Sequence, residues 1–301
     1  MTAERPQLGT VMSVASGVTN IALDALFIPV FGWGIAGAAI ASMLGCAVGG
    51  FFPVWWFASK RNNSRLRLNL FHATMPDRLR VIRRTCTNGL SEYVSNIAFN
   101  IVGICYNLQL MRYIGENGVA AYGVLLYLSF ILVAVFIGYN LTLSPVVGFN
   151  YGAQNHAELT SLLRHSTILL FACGFLLTAV AEVGTPWLAR AFVSYDADLL
   201  ALTERALRLY MISFFVAGFN MFVSAWFTGL NNGIVSATAS FARTLVFELG
   251  AVFVLPWLWG IDGIWLAVDM ADGMALILSV TLLLAFRKRY GYRFLSFRQK
   301  P

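Results

Sequence analysis

Asn20 and Asp24 stand one helical turn apart, an amide and a carboxylate on one face of an otherwise apolar stretch. Asp24 falls about three residues past the middle of residues 11–31, roughly 5 Å from the centre of a span at 1.5 Å per residue. An acid at that depth can take up and release a proton, or hold a cation such as Na+ together with amide and carbonyl oxygens. The structural alternative is an acid bonded to a neighbouring helix. A second constellation, Glu92, Asn96, Asn100, Gly103 and Asn107, forms a stripe about 80° wide on a helical wheel. It extends roughly 22 Å, most of the hydrocarbon thickness. Three amides and an acid do not face lipid, so the stripe is either a seam of interhelical hydrogen bonds or a hydrated path, and the path is the favoured reading. A third set comprises Arg243, Glu248, Asp269 and Asp272. On an α-helical wheel Arg243 and Glu248 are about 140° apart and make no pair on one face. With Asp24 and Glu92 counted, the acids inside apolar segments outnumber the single arginine, so some are neutral, paired across helices or facing water. A cavity lined by acids and aromatics suits organic cations. Tyr106, Tyr127, Phe130, Phe136 and Tyr139 are candidate lining residues. Ser213, Asn220, Ser224 and Thr228 make a weaker stripe that predicts helix–helix hydrogen bonding.

The elements that position these residues are membrane spans. Apolar residues make up 58% of the 301 residues and charged residues 12%, with a mean hydropathy of +0.71; soluble domains carry about 25% charge. Eight segments are long and apolar enough to cross a bilayer: 11–31, 33–58, 88–113, 118–143, 166–184, 206–230, 234–259 and 263–286. Lipid offers the backbone no hydrogen-bond partner, so the expected fold is all-α and polytopic, with eight transmembrane helices. Gly34, Ala38, Ala41, Gly45 and Gly49 form a smooth face for close helix contact. Pro145, Gly148 and Gly152 predict a break between the fourth and fifth spans, over residues 144–155.

The net charge of +7 is placed asymmetrically. Lys60, Arg61, Arg65, Arg67, Arg78, Arg80, Arg83 and Arg84 lie in the second connection, and Arg287, Lys288, Arg289, Arg293, Arg298 and Lys300 in the tail. Those 14 of the 21 basic residues fall on one side of eight spans, together with Met1, which predicts cytoplasmic termini. Such clusters set topology and meet anionic lipid; nucleic acid is not an expected partner. Cys46, Cys86, Cys105 and Cys173 show no CxxC spacing and read as packing residues. Residues 11–31 are too long for a signal-peptide core and carry Asp24.

The chain repeats itself. Pro29-Val-Phe-Gly-Trp-Gly34-Ile-Ala-Gly37 is echoed by Pro256-Trp-Leu-Trp-Gly260-Ile-Asp-Gly263, with the last two glycines offset by 226 residues. A repeat of that length is a half-protein, and two such halves need roughly 450 residues. The expected organisation is therefore the last two helices of an N-terminal lobe (1–58), a basic cytoplasmic linker with an amphipathic helix near 77–84 (59–87), a six-helix C-terminal lobe (88–286) and a basic cytoplasmic tail (287–301). Roughly 150 residues are expected to be absent before Met1.

Asn20 to Ile28 followed by Gly34-Ile-Ala-Gly37 resembles the fifth and sixth helices of multidrug and toxic compound extrusion (MATE) transporters. Asn88-Gly-Leu-Ser-Glu92, Tyr106-Asn107, Gly118 to Gly123 and Pro145 to Ala153 resemble the seventh and eighth helices and the loop after them. Gly260-Ile-Asp-Gly-Ile-Trp265 resembles the start of the twelfth. The resemblance implies twelve helices in two six-helix lobes around a cavity that opens alternately to either face. It implies export of cationic amphipathic compounds driven by inward H+ or Na+ flow, with no resident cofactor and no obligate protein partner. Asn20 and Asp24 match the family's Asn-x-x-x-Asp, part of a proton or cation site, and Glu92 matches an acid near the start of the seventh helix. Two departures stand out: the first-helix acid lies in the absent part, and Asn220 stands in the region where some members carry an acid on the tenth helix. The expected location is the plasma (inner) membrane.

Two other functions fit the spans: an inert truncated remnant or partial gene model, and a flippase for lipid-linked oligosaccharides, against which the acid-rich spans argue. An intramembrane enzyme is excluded on motifs. There is no H-E-x-x-H or G-x-S-x-G, His72, His156 and His165 are read as lying in loops or at helix ends, and Tyr195-Asp196 sits in a loop.

Overall fold

The computed structural model describes residues 6–58 and 75–294, and the side chain of Glu92 lies outside what it describes. The chain divides into two compact units, Met1–Leu79 and Arg80–Pro301. Lys60, Arg61, Arg65, Arg67, Arg298 and Lys300, and the expected linker before residue 75, lie outside the described residues.

In the first unit, α1 (Pro6–Phe27) and α2 (Gly34–Ala58) pack as a hairpin. The small-residue face of α2 is what allows the close approach. A Cβ on Gly45 would come within 2.9 Å of the Asn20 Cβ, and one on Gly49 within 3.2 Å of the Ser16 hydroxyl. Ser16 then donates to the Gly45 carbonyl at 2.7 Å. The turn is closed by Trp33 N–H on the Phe27 carbonyl at 3.0 Å and by stacking of Phe27 on Trp33.

The second unit is built around α7 (Phe214–Gly229), which packs against α4 (Glu116–Gly152), α5 (His156–Phe192), α8 (Gly233–Phe241) and α11 (Ala267–Tyr290). Phe219, Phe222, Trp226 and Phe227 of α7 are fully buried, with Phe136 and Trp265 from neighbouring helices. α3 (Met75–Tyr113) contributes Ala98, Val102, Tyr106 and Leu110, one buried row at helical spacing. α6 (Ala197–Tyr210) is capped by Asp196, whose carboxylate accepts from Asp198 N–H and Leu199 N–H, and leads through a 3₁₀ turn, Met211–Ser213, into α7. α8 continues through a π-helical turn, Ala242–Glu248, into α9 (Leu249–Trp259), and α10 (Ile261–Trp265) precedes α11. No strand occurs among the described residues.

The repeated motif has a structural cause. Gly34 and Gly260 both hold positive φ, +52° and +59°, a conformation open to glycine and strained for residues with a Cβ. Three residues later the next helix crosses close to the end of the one before: a Cβ on Gly263 would lie 2.3 Å from the Leu255 carbonyl oxygen, and one on Gly37 3.0 Å from the Phe27 Cβ.

Among the described residues seven stretches meet the length and apolarity of a span: Gly9–Phe27, Gly34–Trp56, Glu116–Gly152, His156–Phe192, Ala197–Gly229, Gly233–Trp259 and Ala267–Tyr290. The remaining expected span, 88–113, falls within α3. Three expectations change. Residues 77–84 are helical, yet they are the opening turns of α3 and not a separate helix. The break expected at 144–155 falls only at Ala153–Asn155, where Gln154 takes φ +56°. α4 runs through Pro145, which removes one backbone donor, because its last turns pack on α7. Val147 and Asn150 are buried, and Gly148 lies against the Gly229 carbonyl. His156 opens α5 as expected of a helix end, whereas His165 lies inside that helix.

Candidate functional site

In the first unit Asn20 and Asp24 share the face of α1 that meets α2, and both are half-buried. Asn20 Nδ2 donates to the Ser42 hydroxyl of α2 at 3.3 Å, which leaves its carbonyl oxygen available. Asp24 Oδ1 is buried with no hydrogen-bond partner. Asp24 is also the one Asp, Glu, Lys, Arg or His in residues 6–58, so no fixed countercharge sits on either helix. A carboxylate oxygen in that position can take a proton or a cation without displacing a protein partner.

The α3 stripe lies off the packed row. Asn96 and Asn100 are exposed in the second unit, and Gly103 and Asn107 half-buried. Asn100 Nδ2 donates to the Asn96 carbonyl at 2.8 Å and Asn107 Nδ2 to the Gly103 carbonyl at 2.9 Å. Both bonds lie within α3 itself. Among the proposed lining aromatics, Tyr106 and Phe136 are core residues with no exposure, a correction to their sequence reading. Tyr127 and Phe130 are exposed, and Tyr139 donates its hydroxyl to Ser166 at 2.8 Å.

The third set is drawn together by α7, the π turn and α11. Arg243 Nε donates to Asp272 Oδ1 at 2.5 Å and Nη2 to Oδ2 at 3.3 Å, a forked pair. Asp272 is 1% exposed. Asn220 Nδ2 donates to the Asp272 carbonyl at 2.9 Å and to Oδ1 at 3.1 Å, while Ser279 Oγ donates to Asn220 Oδ1 at 3.1 Å. The π turn corrects the helical-wheel separation of Arg243 and Glu248. Its i→i+5 bonding brings residues five apart onto one face, and Glu248 lies in electrostatic reach of Arg243 and Asp272. Asp269, one turn before Asp272, has both carboxylate oxygens buried without a partner. Beyond this set, the weak α7 stripe bonds to α8: Ser224 Oγ lies 2.8 Å from the hydroxyls of Ser236 and Ser240, and Thr228 Oγ1 2.8 Å from that of Ser236.

The MatE family model matches residues 93–254, more than half of the chain. The chain belongs to the MATE family. It is 20% identical over 285 residues to the multidrug export protein MepA of Staphylococcus haemolyticus, covering 95% of the chain and 61% of that protein. To its counterpart in Staphylococcus aureus strain MSSA476 it is 18% identical over 284 residues. The fold matches an outward-facing multidrug resistance MATE family transporter of the MOP superfamily with a TM-score of 0.83 at 25% identity, covering 93% of the chain and 62% of that structure. It matches a MOP superfamily transporter from Pyrococcus furiosus, described as having a binding pocket of reverse polarity, with a TM-score of 0.82 at 25% identity. The chain thus spans about three-fifths of the length of these relatives.

In this MATE family chain the structure joins Asn20 to the face of Asp24, and Arg243 to Asp272 with Glu248 and Asp269 nearby. Sequence reasoning missed the bond from Asn220 to Asp272. The signal available was charge counting: a lone arginine among buried acids must pair with one of them, but no spacing says which.

Proposed function

We propose that the chain serves a secondary active exporter that moves cationic amphipathic compounds outward against an inward flow of H+ or Na+. The observation that carries this reading is Asp24, a mid-span acid with one buried, unpartnered carboxylate oxygen and no countercharge on its hairpin. A proton on Oδ1 supplies the missing partner, and its release returns the negative charge. For Na+, the free Asn20 carbonyl oxygen completes a set of oxygen donors with the carboxylate. The coupling ion is a substrate of the antiport, so no resident cofactor is required and no obligate protein partner is invoked. The amide oxygens of Asn100 and Asn107, whose nitrogens bond within their own helix, support a hydrated route for the cargo, along the stripe that the sequence spacing of Glu92 and Asn96 also marks. The basic residues at 59–87 and 287–301 support a plasma-membrane topology with both termini cytoplasmic.

Asp24→Asn keeps the shape of the side chain and removes its charge. With a fluorescent cationic dye and an imposed H+ or Na+ gradient, the expected result is loss of gradient-driven efflux in membranes carrying the variant transporter. Undiminished efflux removes Asp24 as the coupling residue.

A further inference from the structure

The end of α11 gathers positive charge that no acid among the described residues pairs with. Arg287, Lys288 and Arg293 are exposed, and together with Gly291, Tyr292 and Phe294 they line an open hollow of about 290 Å³. No acid lines that hollow, and among the described residues none of the three cations takes part in an ion pair. Arg289, on the same turn, is placed differently: its guanidinium lies over the rings of Phe286 and Tyr290, 6.0 and 5.8 Å from their centroids.

The chain that forms the hollow is tied down on both sides of its turn. Gly291 takes φ +70° and ends α11. His156 Nδ1 lies 3.1 Å from the Tyr290 carbonyl oxygen, and Asn232 Nδ2 donates to the Tyr290 hydroxyl at 2.8 Å. Beyond the turn, the buried Tyr292 donates its hydroxyl to the Leu283 carbonyl at 2.9 Å, and Arg293 N–H donates to Thr160 Oγ1 at 3.1 Å. The chain thus folds back along α11, and Arg293 shares a hollow with Arg287 and Lys288.

Three like charges in one concavity repel each other, and an anion relieves that repulsion. The C-terminal dipole of α11 opposes an anion, but with about half a charge against three. Two guanidinium forks and an ammonium suit phosphate oxygens. The face of α11 that leads to the hollow is apolar. Ile277, Thr281, Leu284 and Lys288 follow one another at helical spacing and share one face. Ile277 and Leu284 are exposed, at 70% and 36%, and Thr281 turns its hydroxyl back onto the Ile277 carbonyl at 2.7 Å. The rise from Ile277 to Lys288 is roughly 16 Å, about the depth of one leaflet's hydrocarbon. A soluble anion makes no use of such a stripe, whereas a lipid has an acyl chain to lay along it.

We propose that Arg287, Lys288 and Arg293 hold the phosphate of one anionic phospholipid in this hollow, with an acyl chain along Leu284 and Ile277. The site selects for net charge, because a zwitterionic headgroup brings a cation for which the hollow has no acid. It stands apart from Asp24 and from the export reading.

Delipidated protein is titrated in detergent with dioleoylphosphatidylglycerol or with dioleoylphosphatidylcholine, and bound lipid is counted by native mass spectrometry. The expected result is one phosphatidylglycerol retained per chain at concentrations where phosphatidylcholine is not. Lys288→Gln weakens retention about fivefold, and the triple variant Arg287→Gln, Lys288→Gln, Arg293→Gln about a hundredfold, at about 1 kcal/mol per charge. Arg190→Gln, near the far end of α5 from His156, leaves retention unchanged. Inorganic phosphate at the concentration of the lipid does not displace it. Equal retention of the two lipids, equal losses from Lys288→Gln and Arg190→Gln, or displacement by that phosphate overturns the assignment, the last by making the hollow a site for a soluble anion. The comparison of the two lipids is made on the wild-type protein, so a misfolded variant does not blunt it.

Discussion

Two acids inside apolar helices, one in each unit, meet opposite surroundings. Asp24 sits on a hairpin with no other charged residue in 6–58, beside an amide already engaged with Ser42. Asp272 is gripped by both arms of Arg243 and by Asn220, which is itself held by Ser279. Burial of an acid in a span therefore does not by itself make it a coupling group. A carboxylate whose charge is answered by a fixed guanidinium has little to gain from a mobile cation, and one without a fixed answer has most to gain.

The largest effect expected from breaking this contrast is Arg243→Ala. It strands Asp272, which is 1% exposed, and removal of one partner of a buried pair costs about 3–5 kcal/mol. Thermal unfolding in detergent should fall sharply, and the double variant with Asp272→Ala should recover much of the loss. A single variant as stable as the wild type would show the pair to be superficial.

The repeated motif gives a smaller and graded test. Gly263→Ala places a methyl 2.3 Å from the Leu255 carbonyl oxygen, and overpacking of that kind costs about 1–3 kcal/mol. Gly37→Ala, whose methyl would lie 3.0 Å from the Phe27 and Trp33 Cβ atoms and 3.2 Å from the Phe27 carbonyl oxygen, should cost less, and Gly50→Ala, with nothing within 4 Å, nothing measurable. Equal losses at all three positions would contradict the packing account of the motif. Smaller still is Ser236→Ala, which removes the hydroxyl shared by Ser224 and Thr228. Hydrogen bonds between membrane helices average about 0.6 kcal/mol, so a shift near the limit of detection is expected in the same unfolding assay.

What the sequence made legible follows from local physics. Apolar length marks the spans, the repeated motif appears as two left-handed glycines followed by two crowded ones, and the four-residue spacing of Asn20 and Asp24 puts them on one face without any tertiary knowledge. What stayed hidden depends on distant partners. Asn220 and Asp272 meet across two helices, and Arg243 and Glu248 look mismatched because a π turn departs from the 100° step of the α-helical wheel. Pro145 and its glycines read as a loop, and only their packing against α7 keeps α4 continuous. The bonds of Asn100 and Asn107 to their own helix were likewise not visible in the spacing of the α3 amides.

The contrast between the two acids is tested most directly by Asp24→Asn and Asp272→Asn side by side, each scored for thermal stability in detergent and for gradient-driven dye efflux. The account predicts that Asp24→Asn keeps wild-type stability and loses efflux, whereas Asp272→Asn loses stability because Arg243 is left without its carboxylate. Full efflux from Asp24→Asn, or an Asp272→Asn protein as stable as the wild type, would contradict it.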